Sequence, residues 1–199
     1  MRIRIFCVIF AFLLCGCISV PKSPDPRLYM LQAAGKDNVG QRFDVPSDVI
    51  IEVGPVKIPG YLDRPQIVTE DKNKMLKFAQ FDRWGEPLNS GLAQVITLNL
   101  AQALPGASLH VFPYDSSIPF KYQLILDVVQ LESELDKDLF FVVQWSIIDA
   151  PKNKMLLTKK SEFRQPINPH DYTGLTAALS TACVSLSAEI AEALAKQQK

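Results

Sequence analysis

The hydrophobic pattern of this 199-residue chain changes period twice, and the order of those changes limits the possible folds. Residues 28–81 and 108–166 contain alternating or β-branched apolar runs, which are typical of strands. From Pro87 to Ala103, and from Asp171 onward, apolar residues recur every three or four positions, as in amphipathic helices. The order strands, helix, strands, helix predicts an α+β domain, with a curved, largely antiparallel β-sheet packed by two α-helices.

The predicted elements have recognisable ends. The first helix should stop at Pro105-Gly106, and the second should begin at Asp171. The apolar stripe of the second helix consists of Leu175, Leu179, Ala182, Leu186, Ile190 and Leu194. The predicted strands lie within residues 28–31, 48–59, 65–71, 74–81, 108–113, 121–135, 138–150 and 154–166. A chain of this length suits one domain around one core, and the sequence contains no internal repeat.

The N-terminus has the composition of a secretory signal. Arg2 and Arg4 precede an uncharged apolar run from Ile5 to Cys15, which is 11 residues long. A bilayer-spanning helix needs about 17 to 25 such residues, so this run is too short to span. A basic start, a short apolar run and small residues after it predict a signal peptide rather than a buried strand.

The segment Leu14-Cys15-Gly16-Cys17 ends this run and resembles the lipobox of bacterial lipoproteins. The resemblance implies that the Cys17 thiol receives diacylglycerol, that the chain is cut before Cys17, and that the new amine is acylated, for example with palmitate. We therefore expect a lipoprotein signal peptide at 1–16, a lipidated N-terminus and tether at 17–27, and the folded domain at 28–199.

The residues after Cys17 suggest where the lipid is inserted. Residue 18 is Ile rather than Asp, which in bacteria with two membranes implies delivery to the outer membrane. Residues 18–27 contain three prolines, which favour an extended polyproline II conformation of about 3.1 Å per residue. This segment should act as a semi-rigid tether spanning roughly 30 Å.

Charge and cysteine content exclude several classes of protein. Lys plus Arg and Asp plus Glu both number 21, so the chain lacks the basic surplus of a nucleic-acid binder. Cys7 and Cys15 leave with the signal and Cys17 is lipidated, so Cys183 is the one free thiol. A single thiol makes no intramolecular disulfide, and we interpret Cys183 as a small packing residue of the second helix.

No residue pattern in the chain indicates catalysis. His110 and His170 are far apart in sequence, and the chain has no nucleophile elbow, zinc-protease motif or phosphate-binding glycine loop. A dense acidic turn lacks the glycine and spacing of a calcium loop and is better explained as a solvated turn. Its residues are Glu132, Glu134, Asp136 and Asp138. We therefore expect no enzyme activity, no metal and no cofactor other than the covalent lipid.

Two loops are rich in the residue types that dominate protein interfaces. Tyr61, Leu62 and Arg64 lie between two predicted strands, and Arg83 and Trp84 lie just before the first helix. Tyr, Trp and Arg are enriched among interface hot spots, so these five residues are candidates for partner binding. The alternative interpretation, which the sequence supports equally, is that Trp84 caps the core and Tyr61 stiffens a turn.

The same two loops carry a family resemblance. The segments "GYLDRPQIV" and "FDRWGEPLNSGLAQVITLNLAQALPG" resemble the ABC-transport auxiliary lipoprotein family of the PqiC (YmbA) type. That family also has an opening Tyr-x-Leu strand, here Tyr29-Met30-Leu31, and a final helix like "YTGLTAALSTACVSLSAEIAEAL". The match covers essentially the whole mature chain in order, and it departs at Gly85, where alanine is common.

The resemblance implies a non-enzymatic outer-membrane lipoprotein that faces the periplasm. It would serve an ABC transport system with an MCE-domain protein, which moves lipids between membranes, by docking that periplasm-spanning partner at the outer membrane. The alternative is a structural assembly or pilot lipoprotein for an outer-membrane complex. The sequence leaves open whether the chain works as a homo-oligomer.

Overall fold

The computed structural model describes residues 23–35, 41–113 and 119–198. The predicted signal peptide and Cys17 lie outside these ranges. The strands are β1 (Arg27–Tyr29), β2 (Ile50–Lys57), β3 (Gln66–Glu70), β4 (Leu76–Trp84), β5 (Ser108–Val111), β6 (Tyr122–Ser133), β7 (Asp138–Asp149) and β8 (Lys154–Pro166). The helices are α1 (Leu88–Ala103) and α2 (Tyr172–Lys196). The α+β class and its two helices are thereby confirmed.

The strands are divided between two sheets, whereas the sequence predicts one. The smaller sheet has the order β1-β4-β3 and the larger has the order β5-β2-β6-β7-β8. The long β6–β7 and β7–β8 pairs are antiparallel, as is β3–β4, while β1–β4, β2–β5 and β2–β6 are parallel. Hydrophobic alternation shows which face of a strand is buried but not which strand lies beside it.

Both helices pack against each other and onto the sheets. α1 contacts β2, and α2 contacts β7 and β8, so the helices share one core with the inward faces of the strands. Every member of the predicted α2 stripe is buried. α2 begins where predicted, because the Asp171 carboxylate accepts a hydrogen bond from the Gly174 N–H at 2.9 Å, an N-cap.

Within the described residues, α2 is long and apolar enough to cross a bilayer by length and composition alone. Its most apolar window has a mean hydropathy of 1.3, but 61% of that window is buried inside the protein. A helix that packs its apolar stripe against α1 and the sheet is accounted for as a core helix.

The fold has two distinct ends. At one, which we call the tether end, the β3–β4 turn and the β6–β7 turn lie side by side, and Lys74 Nζ is 3.3 Å from Glu132 Oε2. The N-terminus of α2 is also there, because His170 Nδ1 is 3.0 Å from the Leu135 carbonyl oxygen. At the other, the distal end, the Tyr122 hydroxyl donates to the Gln197 carbonyl at 3.3 Å, which brings the start of β6 to the C-terminus of α2.

Candidate functional site at the junction of tether and domain

A buried carboxylate fastens the chain to the domain at the first strand after the tether. Asp82 of β4 accepts two hydrogen bonds from the Arg27 guanidinium, from Nε and from Nη2, each at 2.7 Å. The Tyr29 hydroxyl donates a third to Asp82 Oδ1 at 2.8 Å. The Asp82 side chain is 5% exposed and that of Arg27 is 67% exposed. Arg27, Tyr29 and Asp82 together form what we call the clasp.

The electrostatics of the clasp follow from its geometry. The hydrogen bonds from Arg27 hold the pKa of the Asp82 carboxyl below its ordinary value, although burial opposes this. Burial raises the pKa of Tyr29, and the nearby Asp82 charge adds to the shift. Burial also raises the pKa of Tyr172, whose ring centroid is 6.3 Å from that of Tyr29. In the clasp, the ionised Asp82 carboxylate therefore binds one guanidinium and one neutral phenol, and the neutral phenol of Tyr172 lies next to Tyr29.

After the clasp, the chain runs as a strap over both helices. The Gly85 N–H donates to the Tyr29 carbonyl at 2.8 Å, and the Gln32 N–H donates to Ser180 Oγ of α2 at 3.1 Å. Two α1 side chains then hold the backbone of Ala34. Asn99 Oδ1 accepts from its N–H at 2.8 Å, and Gln102 Nε2 donates to its carbonyl at 3.0 Å. The strap, residues 27–35, is thus fixed by side chains from β4, α1 and α2.

An open groove of about 650 Å³ lies between the strap and the first half of α2. The strap contributes Leu28, Met30 and Ala33 to it, and α2 contributes small residues such as Ala177 and Thr181. The described residues that line it are apolar or uncharged polar ones. The groove can therefore hold an extended chain or a ligand by shape and by hydroxyl groups.

The first predicted loop is partly absorbed by the core. Leu62 is buried in the main apolar cluster. Tyr61 is half-buried, and its hydroxyl donates to the Leu131 carbonyl of β6 at 3.2 Å, so it ties the β2–β3 connection to the larger sheet. Burial raises the pKa of this phenol. The Arg64 guanidinium lies 4.3 Å from the centroid of the Phe78 ring, a cation–π contact.

The second predicted loop behaves similarly. Trp84 is buried, and its backbone N–H donates to the Pro65 carbonyl at 2.8 Å, which joins the two loops. Arg83 is half-buried between Leu28 of β1 and Gln66 of β3. The structure therefore brings Arg64, Arg83 and Trp84 together. Of the five candidates, Tyr61, Arg64 and Arg83 retain solvent exposure.

The other sequence candidates have structural explanations. Three carboxylates of the acidic turn are ion-paired: Glu132 with Lys74, Glu134 with Lys137 at 2.8 Å, and Asp138 with Arg164 at 2.7 Å. In the described ranges, no group of three or more His, Cys, Asp and Glu side chains is placed to bind a metal.

Cys183 lies in the core, as its interpretation as a packing residue requires. Its side chain is fully buried, and burial raises the pKa of the thiol to about 12. A thiol that stays protonated at neutral pH is a poor nucleophile.

The clasp was not predicted from the sequence. Asp82 stands directly beside Arg83 and Trp84 in the segment "FDRWGEPL", but an aspartate next to an arginine gives no sign of burial. The available signal was Arg27 and Tyr29, a cation and a hydroxyl donor two residues apart at the start of the domain. Nothing in the sequence pairs that strand with β4.

Comparison with known proteins places the fold in a family. Residues 29–191 match the family model of the ABC-type transport auxiliary lipoprotein component. A crystal structure of an uncharacterized protein superposes with a TM-score of 0.69 at 18% identity, covering 86% of this chain and 99% of that one. XCC0632 from Xanthomonas campestris, of the family model DUF330, gives a TM-score of 0.67 at 13% identity, covering 86% and 98%.

At these identities the two structures show the fold alone. No curated protein matches the chain. The family match spans most of the chain, and the family consists of transport accessories of the bacterial envelope rather than enzymes. The chain belongs to the ABC-type transport auxiliary lipoprotein family.

Proposed function

We propose that this lipoprotein is anchored to the outer membrane through lipid on Cys17 and docks the periplasm-spanning MCE-domain partner of an ABC lipid transport system. The observation that carries the proposal is the clasp. Asp82 binds Arg27 and Tyr29 immediately after the tether, so a load on the lipid anchor passes directly into the buried part of β4. That coupling suits a protein whose task is to hold another assembly at a membrane.

Confinement to a membrane supplies the mechanism. A lipid-anchored domain on a tether of roughly 30 Å occupies a thin layer, so its effective concentration toward a membrane-spanning partner is high. A dock of this kind needs a recognition surface and no reacting groups. Tyr61, Arg64 and Arg83 are the partly exposed members of the predicted partner surface, while Leu62 and Trp84 lie in the core beside them.

The first test is the anchor itself. Cys17→Ser should leave an unprocessed precursor without acyl label, whereas Cys15→Ala should be processed normally. Fractionation of the wild type should recover the protein with outer-membrane markers. Recovery with inner-membrane markers would contradict the outer-membrane part of the proposal and leave its transport role standing.

The second test is the partner. Mild crosslinking in cells followed by purification should recover an MCE-domain protein, and Arg64→Ala with Arg83→Ala should reduce that recovery. Lys160→Ala, on the exposed part of β8, is the matched control. Recovery of an outer-membrane complex in place of an MCE-domain protein would favour the assembly or pilot role. Crosslinks between identical chains would establish a homo-oligomer.

A further inference from the structure

The tip of the β3–β4 hairpin exposes an apolar patch at the tether end. Met75 is 53% exposed, Leu76 is 39% exposed and Phe78 is 50% exposed. Leu28 and Met30 form a second exposed apolar pair on the strap, and the remaining large apolar side chains exposed in the described ranges lie on separate elements. Residues 75–78, which we call the hairpin patch, therefore concentrate apolar surface at one point, as interaction sites do.

The hairpin patch is held in one shape before it meets any partner. Asp71 Oδ1 accepts hydrogen bonds from the Asn73 N–H at 2.8 Å and from the Met75 N–H at 3.0 Å, which closes the turn. Lys74 adopts a positive φ of 63° within this turn. A preformed turn loses little conformational freedom on binding, so its apolar side chains can contribute most of their transfer free energy.

Ion pairs neutralise part of the charge around the hairpin patch, while the Arg64 guanidinium lies over the Phe78 ring, 4.3 Å from its centroid. Lys74 Nζ lies 2.9 Å from Glu70 and 3.3 Å from Glu132, and Lys77 Nζ lies 3.3 Å from Asp71. A contact made by this surface therefore draws mainly on its apolar side chains, with the Arg64 cation beside Phe78.

The strand register shows which way the hairpin patch faces. β1 runs parallel to β4, with Arg27 opposite Asp82 and Tyr29 opposite Trp84. The chain that precedes Arg27 therefore enters from the side where β4 begins, which is the side of Leu76. Leu76 lies six residues before Asp82 along β4, roughly 20 Å at the rise of a strand. The part of the predicted tether that precedes β1, residues 18–26, can span about 28 Å as polyproline II, so it is long enough to reach past the patch.

We infer that the hairpin patch rests in the interfacial layer of the bilayer to which the chain is anchored, so that the domain stands on the membrane by its tether end. The inference deepens the proposed function and rests on its lipid anchor at Cys17. Apolar side chains in such a layer are buried about 5 to 10 Å deep, at the boundary of headgroups and acyl chains. The lipid and the hairpin patch would then give the domain two points of attachment and a fixed orientation.

The test uses the full lipidated protein in vesicles of zwitterionic phospholipid, with and without bromine on the acyl chains. Phe78→Trp places a fluorophore in the hairpin patch, and Met75→Trp is a second variant there. Met155→Trp is the matched control, because Met155 is 60% exposed and starts β8 at the distal end. The native Trp84 and Trp145 are buried and contribute the same background to every variant.

Bromine should quench the added emission of the two patch variants by roughly half and leave the control unchanged, because quenching requires contact at acyl-chain depth. Equal quenching of patch and control, or none in the patch, would overturn the inference. If the added emission instead falls as more protein is loaded per vesicle, with or without bromine, a second copy of the chain covers the hairpin patch. That result would also overturn the inference. Flotation of the wild-type protein with the vesicles tests the lipid anchor separately. If the protein floats but the patch variants show no quenching, only the membrane contact of the hairpin patch is contradicted. If the protein does not float, the lipid anchor is contradicted, and with it both proposals.

Discussion

At the scale of single residues, Asp82 is the side chain on which the clasp depends. Replacing it by asparagine removes the charge that Arg27 and Tyr29 bind and leaves buried polar groups imperfectly paired. Because Arg27 is largely exposed, part of the ion-pair energy is screened by water. We expect Asp82→Asn to lower the free energy of unfolding by about 2 kcal/mol. Thermal denaturation measures this, with the exposed Asp63→Asn as control, and equal melting temperatures for the two variants would contradict it.

The same residue predicts a pH dependence. The pKa of Asp82 is lower in the folded protein than its ordinary value of 3.8, so folding favours the ionised form. Its contribution is complete above the unfolded pKa and is lost as pH falls through the folded pKa. The stability difference between wild type and Asp82→Asn should therefore be constant from pH 7 to about 5 and shrink below about 4. A difference that grows on acidification would refute the assignment.

Cys183 provides a test of the core. Its thiol is fully buried and its pKa is raised to about 12, so neither access nor ionisation favours reaction at pH 8. We expect iodoacetamide to leave the Cys183 peptide unmodified in the native protein and to alkylate it fully in denaturant. Mass spectrometry of that peptide measures both states. Rapid alkylation without denaturant would show that α2 opens locally.

At the scale of elements, the strap should be separable from the rest of the fold. Asn99 and Gln102 hold the Ala34 backbone from α1, while Ser180 holds Gln32 from α2. Asn99→Ala should speed hydrogen exchange at residues 32–35 and leave the β6–β7 amides protected. Gln94→Ala, on the exposed side of the same helix, is the control. Faster exchange throughout the chain would mean that the strap is an integral part of the core.

The elements also show where sequence reasoning succeeds. The α2 stripe and its Asp171 cap were predictable because helix periodicity and capping are local. The division into two sheets was not, because hydrophobic alternation does not show which strands pair, and β4 pairs with β1 and β3 instead of with a strand of the larger sheet. The clasp depends on the non-local β1–β4 pair, so it was out of reach as well. Of the five predicted partner-binding residues, Leu62 and Trp84 are buried by their neighbours, and for Trp84 the sequence also allows the role of capping the core.

At the scale of the whole molecule, the two sheets share one apolar cluster and should unfold together. Trp84 belongs to the smaller sheet and Trp145 to the larger, and both are buried in that cluster. In Trp84→Phe the remaining tryptophan, Trp145, reports on the larger sheet. In Trp145→Phe the remaining tryptophan, Trp84, reports on the smaller sheet. In each variant we expect the fluorescence and far-ultraviolet circular dichroism midpoints in denaturant to coincide. A fluorescence transition that precedes the circular dichroism transition in one variant would show that its sheet is a separate cooperative unit.

The parallel pairing of β1 with β4 has a mechanical consequence. Under the anchor proposed at Cys17, a pull on the lipid would act on the N-terminal end of β1, and β4 is held in place by β3 and the core. This force would load two sets of bonds in shear: the backbone hydrogen bonds between β1 and β4, and the two hydrogen bonds from Arg27 to Asp82. In shear these bonds carry the force together, whereas peeling would break them one after another. Resistance to shear grows with the number of bonds that must break together. Although β1 has only three residues, the Arg27–Asp82 ion pair at its first position therefore suits it to bear tension between a membrane and the partner that the domain binds.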